Sequence, residues 1–230
     1  MLGKSFFLLV EKSAVVKFIS NLKSLRKLHV QALGEIHDLV LMVIFCNELP
    51  ELKSFECTTL DYDNTVLFNG PIPSNIENLT IDCSLYNLTN LLVQTPKLKY
   101  LNVTLINYGL EPSVLTDSST MMSLIHLKMN IYFVSYNNLS DIVKSMPHLK
   151  IIELSGESTG QNLDNGHQLK QLFGHLSKVQ LKNVACLMAA SSTDAVLATF
   201  NDEINGFWSN VTCSIGFRNR VHITATDRAR

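Results

Sequence analysis

The sequence has few charges and no long apolar run, and each absence excludes a class of protein. Asp, Glu, Lys and Arg make up 17% of the 230 residues and the net charge is −1, so the strongly basic surface typical of nucleic-acid binding is not expected. The longest apolar run, residues 39–46, is far shorter than the ~18 residues of a membrane span and is predicted to form a buried helix. We therefore expect neither nucleic acid nor a membrane as a partner.

Signatures of catalysis and of cofactor binding are also lacking. The sequence contains no Gly-rich phosphate loop and no G-x-S-x-G, H-E-x-x-H or C-x-x-C motif. His167 and His175 are well separated and have no third ligand nearby. Asp61 and Asp63 lack the glycine and the distal glutamate of a calcium-binding EF-hand loop. We expect no metal, no cofactor and no enzymatic activity.

The cysteines and the N-terminal residues favour an intracellular protein. The five cysteines are odd in number and show no pair spacing, so we interpret all of them as reduced core residues of a cytoplasmic protein, with the nucleus as an alternative compartment. Residues 6–10 form an apolar run that is too short for a secretory signal. The cysteines are Cys46, Cys57, Cys83, Cys186 and Cys213.

Five N-x-S/T sequons favour the opposite alternative, an extracellular recognition ectodomain. We rank it second, because the repeated pattern described below generates Asn-Leu-Thr triplets and because Asn102 is predicted to lie within a packed strand, where a glycan fits poorly. The sequons begin at Asn78, Asn87, Asn102, Asn138 and Asn210.

What the chain does contain is a repeated hexad, L-x-x-φ-x-φ, in which φ is apolar. It occurs seven times, and subtraction of successive first positions gives steps of 27, 24, 22, 26, 25 and 27 residues. A near-constant step predicts a repeated structural unit that must stack on its neighbours to bury its apolar side. The hexads begin at Leu25, Leu52, Ile76, Leu98, Leu124, Leu149 and Leu176, and a weaker eighth begins at Trp208.

The unit around Leu149 shows what each repeat is predicted to form. Apolar residues from Leu139 to Met146 have helical spacing. Pro147 then begins a tight turn, and a strand follows in which Ile152 and Leu154 share one face. Further helices are predicted in residues 1–24, 35–47, 85–92, 114–122, 169–173 and 192–200, with a turn-rich stretch at 60–73. A C-terminal cap with an antiparallel hairpin, residues 211–215 and 221–224, is predicted to close the last sheet edge.

This pattern resembles leucine-rich repeat proteins over residues 15–185. The irregular step, and the lack of an Asn or Cys at a fixed position after the strand, is similar to the cysteine-containing and ribonuclease-inhibitor-like repeats. The resemblance implies an α/β solenoid, or horseshoe, with a concave parallel sheet of about seven strands and helices on the convex side. It implies one domain over residues 1–230, with a cap in 186–226.

Several short segments are similar to invertebrate F-box and leucine-rich-repeat proteins. In that family an N-terminal F-box docks the Skp adaptor of a cullin ubiquitin ligase, and the repeats hold the substrate. Residues 1–24 are too short for an F-box, so the resemblance implies a substrate receptor whose contact with Skp and cullin would need a further N-terminal segment. The segments are Thr95-Pro96-Lys97-Leu98-Lys99, Met146-Pro147-His148-Leu149-Lys150, Phe207-Trp208 and Val211-Thr212-Cys213.

The predicted site is the row of strand residues that alternate with the apolar ones. These side chains are expected to point to water, to form one continuous concave wall and to bind another protein. They are polar, carry both charge signs and include a single aromatic ring. The candidates are Lys27, His29, Glu56, Asn78, Thr80, Tyr100, Asn102, His126, Lys128, Glu153, Lys178 and Gln180.

Overall fold

The computed structural model describes residues 17, 21–32, 44, 49–59, 74–107, 123–159, 162–187, 192–201, 206–216 and 220–227. Nine strands in these residues form one open sheet with helices packed on one side, an α/β architecture. The strands are β1 (Lys27–Ala32), β2 (Ser54–Thr59), β3 (Asn78–Ser84), β4 (Tyr100–Ile106), β5 (His126–Tyr132), β6 (Ile151–Glu157), β7 (Lys178–Leu187), β8 (Trp208–Ile215) and β9 (Arg220–Asp227). The helices with described bounds are α1 (Leu85–Gln94), α2 (Tyr136–Lys144), α3 (Gly166–Phe173) and α4 (Thr193–Phe200).

Strands β1 to β7 are parallel, and they neighbour one another in chain order. Each carries one hexad, which confirms the expected parallel sheet of about seven strands. Their register aligns the second apolar position of every hexad across the sheet. The aligned residues are Leu28, Phe55, Leu79, Leu101, Leu127, Ile152 and Val179.

The hexad residues form the centre of the core. From the second hexad to the seventh, all three apolar positions are at most 3% exposed. Leu101, Leu127 and Ile152 are fully buried, so the predicted register is confirmed. Leu25, Leu28 and Val30 of the first hexad are only partly buried, because β1 has a neighbouring strand on one side only among the described residues.

The strand starts are joined by a main-chain contact that recurs with every unit. One carbonyl oxygen before a strand accepts hydrogen bonds from two successive N–H groups before the next strand, as Lys99 O does from Ile125 N and His126 N at 2.9 and 3.0 Å. The contact satisfies main-chain groups that would otherwise lie unpaired beside the core. The accepting carbonyls belong to Arg26, Lys53, Glu77, Lys99, Ile125 and Lys150.

The helices begin at polar residues that cap them. In α2 the Ser135 hydroxyl accepts from Asn138 N at 3.2 Å and Asn138 Oδ1 accepts from Ser135 N at 3.3 Å, which is a capping box. The α2 residues Leu139, Ile142 and Val143 are buried against the sheet. In α4 the Ser192 hydroxyl accepts from Ala195 N. Both helices, and α3 with its buried Leu169, Leu172 and Phe173, confirm the predicted elements.

The C-terminal end departs from the parallel pattern. Strand β9 pairs antiparallel with β7, and β8 pairs antiparallel with β9 on the outside. The predicted hairpin is confirmed. The weaker eighth hexad lies in this cap: its strand β8 runs antiparallel and leaves Val211 and Cys213 only partly buried. Trp208 instead seals the end of the core: its Nε1 donates to Gly166 O at 2.9 Å, and its ring contacts Phe200 and Phe207.

The cysteines of the described residues are free. Burial raises the pKa of the Cys57, Cys83 and Cys186 thiols to about 12, so these thiols stay protonated and behave as small apolar core groups. The prediction that every cysteine is a core residue is wrong for Cys213, because β8 pairs with β9 alone among the described residues and leaves this side chain partly buried. Cys46 lies outside the described residues.

Other predictions fall outside the described residues. They concern most of the helices in 1–24 and 35–47, the helix in 114–122, the turns of 60–73 and the pair Asp61 and Asp63. Lys17 and Ile44, which are described, are helical. The assignment of residues 1–230 to a single domain stays a prediction.

The inside–outside alternation of the strands predicts a large difference between neighbouring positions. Leu127→Ala and Ile152→Ala each remove a fully buried side chain and should lower the free energy of unfolding by ~2–5 kcal/mol. Lys128→Ala, at an exposed position of the same strand as Leu127, should cost less than ~0.5 kcal/mol. Denaturant titration measures all three, and equal losses would contradict the assignment of faces.

Candidate functional site

The face of the sheet opposite the helices carries the predicted site, and we call it the open face. Its residues alternate with the buried ones along β1 to β7, and the twelve candidates are all exposed or partly exposed there. Register arranges them in rows that cross the strands. One row comprises His29, Glu56, Thr80, Asn102, Lys128, Glu153 and Gln180, and the neighbouring row comprises Lys27, Ser54, Asn78, Tyr100, His126, Ile151 and Lys178.

The rows are long enough to contact an extended partner. Adjacent strands lie about 4.8 Å apart, so a row across seven strands spans roughly 29 Å. The predicted site residues, which are distant from one another in the sequence, therefore lie on one surface. The alternation that buries Leu127 and Met129 also places His126 and Lys128 on this surface.

Glu153 is the centre of the strongest polar network on the open face. Its two oxygens contact Lys182 Nζ at 2.8 Å and His126 Nε2 at 3.2 Å. The hydrogen bond from Lys182 lowers the pKa of the Glu153 carboxyl, and the positive charges of Lys182 and His126 lower it further against the opposing effect of burial. The prediction that Glu153 points freely to water is wrong: only 17% of its side chain is exposed, because two basic side chains lie against it.

Tyr100 extends this network across the next strand. Its ring meets the ring of His126 edge to face, with centroids 4.9 Å apart. Burial raises the pKa of the Tyr100 hydroxyl, and the carboxylates of Glu153 and Glu56 raise it further, so the hydroxyl keeps its proton and can donate to a partner. Glu56 itself lies 3.0 Å from His29 Nδ1.

Charges at the strand starts are also paired. Glu77 lies between Lys99 Nζ at 2.7 Å and Lys53 Nζ at 3.5 Å, and the hydrogen bond from Lys99 lowers the pKa of the Glu77 carboxyl. Exposed pairs of this kind add little stability. At these strand starts, two positive charges therefore flank one negative charge.

A cleft of about 510 Å³ lies at the carboxyl ends of β5 and β6, where β7 meets the antiparallel β9. This cleft was not among the features predicted from the sequence. Its position depends on a bulge in β7: Ser155 on β6 pairs with Lys182 and Gly156 pairs with Val184, so Asn183 is the extra residue between them. The polar residues that form its walls include Asn130, Tyr132, Glu157, Lys182, Asn183 and Arg220.

The sequence does carry a signal for this bulge. Apolar residues alternate at Val179 and Leu181 and then skip to Val184, so two consecutive polar residues interrupt the period of two. Both side chains are exposed as a result. Asn183 adopts φ +53°, in the left-handed region that Asn tolerates, and this conformation lets the strand resume its alternation at Val184.

Other residues with chemical potential stay apart from the open face. His167 and His175 are exposed at the beginning and just beyond the end of α3, and His148 is exposed in the turn before β6. Among the residues that the structure describes, no three His, Cys, Asp or Glu side chains converge as metal ligands. In the same part of the chain, no helix combines the length and the apolar character needed to cross a membrane.

Comparison with known proteins returned no match, either to a protein-family model or to a curated protein. The function proposed below therefore relies on the geometry of the open face and on the resemblance found in the repeated hexads.

The network at Glu153 predicts a pH-dependent contribution to stability. Glu153→Gln should lower the free energy of unfolding by about 1 kcal/mol at neutral pH, because it removes a carboxylate held by two bases. Since folding lowers the pKa of Glu153, this contribution is complete above the unfolded pKa of about 4.3 and is lost as the pH falls through the lower, folded pKa.

The measurement is urea unfolding of both proteins across the acidic range. Glu51→Gln serves as the control, since Glu51 is exposed and its loss should change stability little at any pH. A stability difference for Glu153→Gln that stays constant from neutral to strongly acidic pH would contradict the role assigned to the carboxylate.

Proposed function

We propose that the chain is a leucine-rich repeat solenoid that binds another protein on its open face, without catalysis. The observation that carries this proposal is the alignment of seven parallel strands in chain order, one per hexad. Such an arrangement projects rows of polar side chains from a rigid framework, and repeat proteins use surfaces of this type to bind partners. In a horseshoe the open face would be the concave wall.

The charge pattern favours a protein as the partner. Basic and acidic side chains lie beside each other in one row, at Lys128 and Glu153 and at His29 and Glu56. A polyanion would meet the two carboxylates of this row, whereas a protein surface can match both signs, and such matching determines specificity. Lys27, Lys128 and Lys178 are exposed, which leaves positive charge available for an acidic part of the partner.

A substrate receptor of a cullin-type ubiquitin ligase is the more specific form of this proposal. Its support is the resemblance of the proline-initiated turns before β4 and β6, and of the closing Phe207-Trp208 pair, to F-box and leucine-rich-repeat proteins. The described residues would hold the substrate. Contact with a Skp adaptor would belong to a segment that precedes them.

The burial of two sequons favours the cytoplasm or the nucleus over an extracellular location. Asn87 is 2% exposed and Asn138 is 7% exposed, and Asn138 also forms the capping box of α2. Because N-linked glycans are attached during translocation, before the domain has folded, a glycan at either residue would have to be accommodated in the core. Asn78 and Asn210 are exposed and would tolerate a glycan.

Charge reversal on the open face tests the proposed function. Lys128→Glu and Lys178→Glu should each weaken binding to a partner isolated from the source organism on the order of tenfold or more, because each opposes a charge that the partner has evolved to match. Binding is measured with purified partner and protein, and circular dichroism confirms that each variant folds.

The matched control reverses the charge of an exposed lysine in the helix layer. Lys144→Glu in α2, together with Gln171→Ala in α3, should leave partner binding unchanged. If the helix-side variants lose binding while the two open-face variants retain it, the helices form the interface and the proposal is wrong.

The compartment is tested on the protein from its natural source. Treatment with an N-glycosidase should leave its electrophoretic mobility unchanged, since an intracellular protein carries no N-linked glycans. Asn78→Gln and Asn210→Gln variants locate any glycan at the two exposed sequons. A mobility shift that these two substitutions abolish would establish the extracellular alternative instead.

A further inference from the structure

We propose that the cleft at the bulge of β7 binds an uncharged amide group, either the side chain of Asn or Gln or a main-chain peptide group. The inference deepens the proposed function, on which it rests in one respect: the amide would belong to the protein partner. The cleft volume of about 510 Å³ lies within the range of small-molecule and side-chain pockets.

Charge balance in the cleft walls determines which ligands can enter. Lys182 Nζ contacts Glu153 Oε2 at 2.8 Å, and Arg220 forms an ion pair with Glu157. Both basic groups are thus already neutralised by carboxylates of the protein. A charged ligand would disrupt these pairs or meet a like charge, so an uncharged polar group fits better.

Two neutral donors remain unused inside the cleft. The Tyr132 hydroxyl accepts a hydrogen bond from Asn130 Nδ2 at 3.4 Å, and its own hydrogen has no acceptor among the described residues. Asn183 Oδ1 accepts from His222 Nδ1 at 2.9 Å, and the side-chain nitrogen Nδ2 of Asn183 likewise has no acceptor in the part of the chain that the structure describes. Two free donors on adjoining walls suit a carbonyl oxygen.

An acceptor is also present, which completes the match to an amide. The Ser155 hydroxyl donates to Asn130 Oδ1 at 3.2 Å and keeps lone pairs for an incoming N–H. A carboxylate or a phosphate could use the donors of Tyr132 and Asn183 but could supply no hydrogen to Ser155. An amide can satisfy both sides of the cleft at once.

Backbone conformations around the cleft support a binding role. Three positive φ angles occur at neighbouring positions of this sheet edge: Phe133 at +62°, Gly156 at +101° and Asn183 at +53°. Phe133 is 42% exposed, and its main-chain N–H donates to Glu157 O at 2.7 Å. A bulky residue in the left-handed region is uncommon, and both such conformations and bulges concentrate at functional sites.

The test uses three capped amino acids that differ in one functional group. N-acetyl-glutamine-N-methylamide offers a side-chain amide, the glutamate analogue replaces it by a carboxylate of the same shape, and the alanine analogue offers main-chain amides only. Two-dimensional ¹H–¹⁵N NMR follows the Asn183 side-chain NH₂ and the Lys182 main-chain N–H. We expect the glutamine probe to bind with millimolar affinity and the glutamate probe to bind several-fold more weakly. Equal shifts from the glutamine and alanine probes would identify the main-chain peptide group as the ligand.

Matched variants connect binding to the two donors. Tyr132→Phe removes only the hydroxyl, and Asn183→Gly removes the amide while Gly keeps the positive φ of the bulge. Each should weaken the glutamine probe roughly fivefold, the effect of one hydrogen bond. Tyr136→Phe, a hydroxyl removal in the helix layer, should leave probe binding unchanged.

Three results would overturn the inference: no probe shifts the cleft signals, the glutamate probe binds as tightly as the glutamine probe while the alanine probe binds more weakly, or Tyr136→Phe weakens the glutamine probe as much as Tyr132→Phe. None of these results bears on partner binding by Lys128→Glu and Lys178→Glu, so failure of the cleft inference is distinguishable from failure of the proposed function. If those two variants lose partner binding and no probe binds in the cleft, the open face is still the interface and only the cleft inference fails.

Discussion

Burial of each unit's apolar residues by its neighbours is the constraint on which this structure depends. Leu101, Leu127 and Ile152 lie side by side on successive strands and are fully buried, yet none would be buried by its own helix and strand alone. A unit at the end of such an array has a neighbour on one side only, so its apolar residues must be buried in another way. At the C-terminal end Trp208 packs against Phe200 and Phe207, so a single large side chain closes the core.

The same constraint creates the open face. Since side chains alternate along a strand, fixing Leu127 and Met129 in the core fixes His126 and Lys128 on the opposite side. Parallel register then aligns these outward residues across strands that are distant in sequence. Ion pairing makes the exposure of these side chains vary along a row. Glu153 lies between Lys182 and His126 and is largely covered, whereas Lys128 remains exposed.

The surface at the C-terminal end of the array differs from the regular rows, because the sheet changes from parallel to antiparallel pairing there. The bulge at Lys182 and Asn183 accommodates that change, opposite β6 on one side and β9 on the other. It turns two consecutive side chains onto the open face and leaves a polar cleft beside them. The bulge that adjusts strand pairing thereby adds a polar cleft to an otherwise regular surface.

The hexads, the seven parallel strands and the division of residues such as Ile152 and Glu153 between two faces could be predicted from the sequence, because they follow from a period of two within a repeated step. The helices α2 and α4 and the closing hairpin were also predicted from the sequence. Other features could be read only from the tertiary structure: Glu153 is covered by Lys182 and His126, Trp208 donates to the main chain of Gly166 at the end of the core, and Tyr132 and Asn183 share a cleft with Arg220. These facts depend on contacts between residues about 25 to 40 positions apart, which no local pattern records.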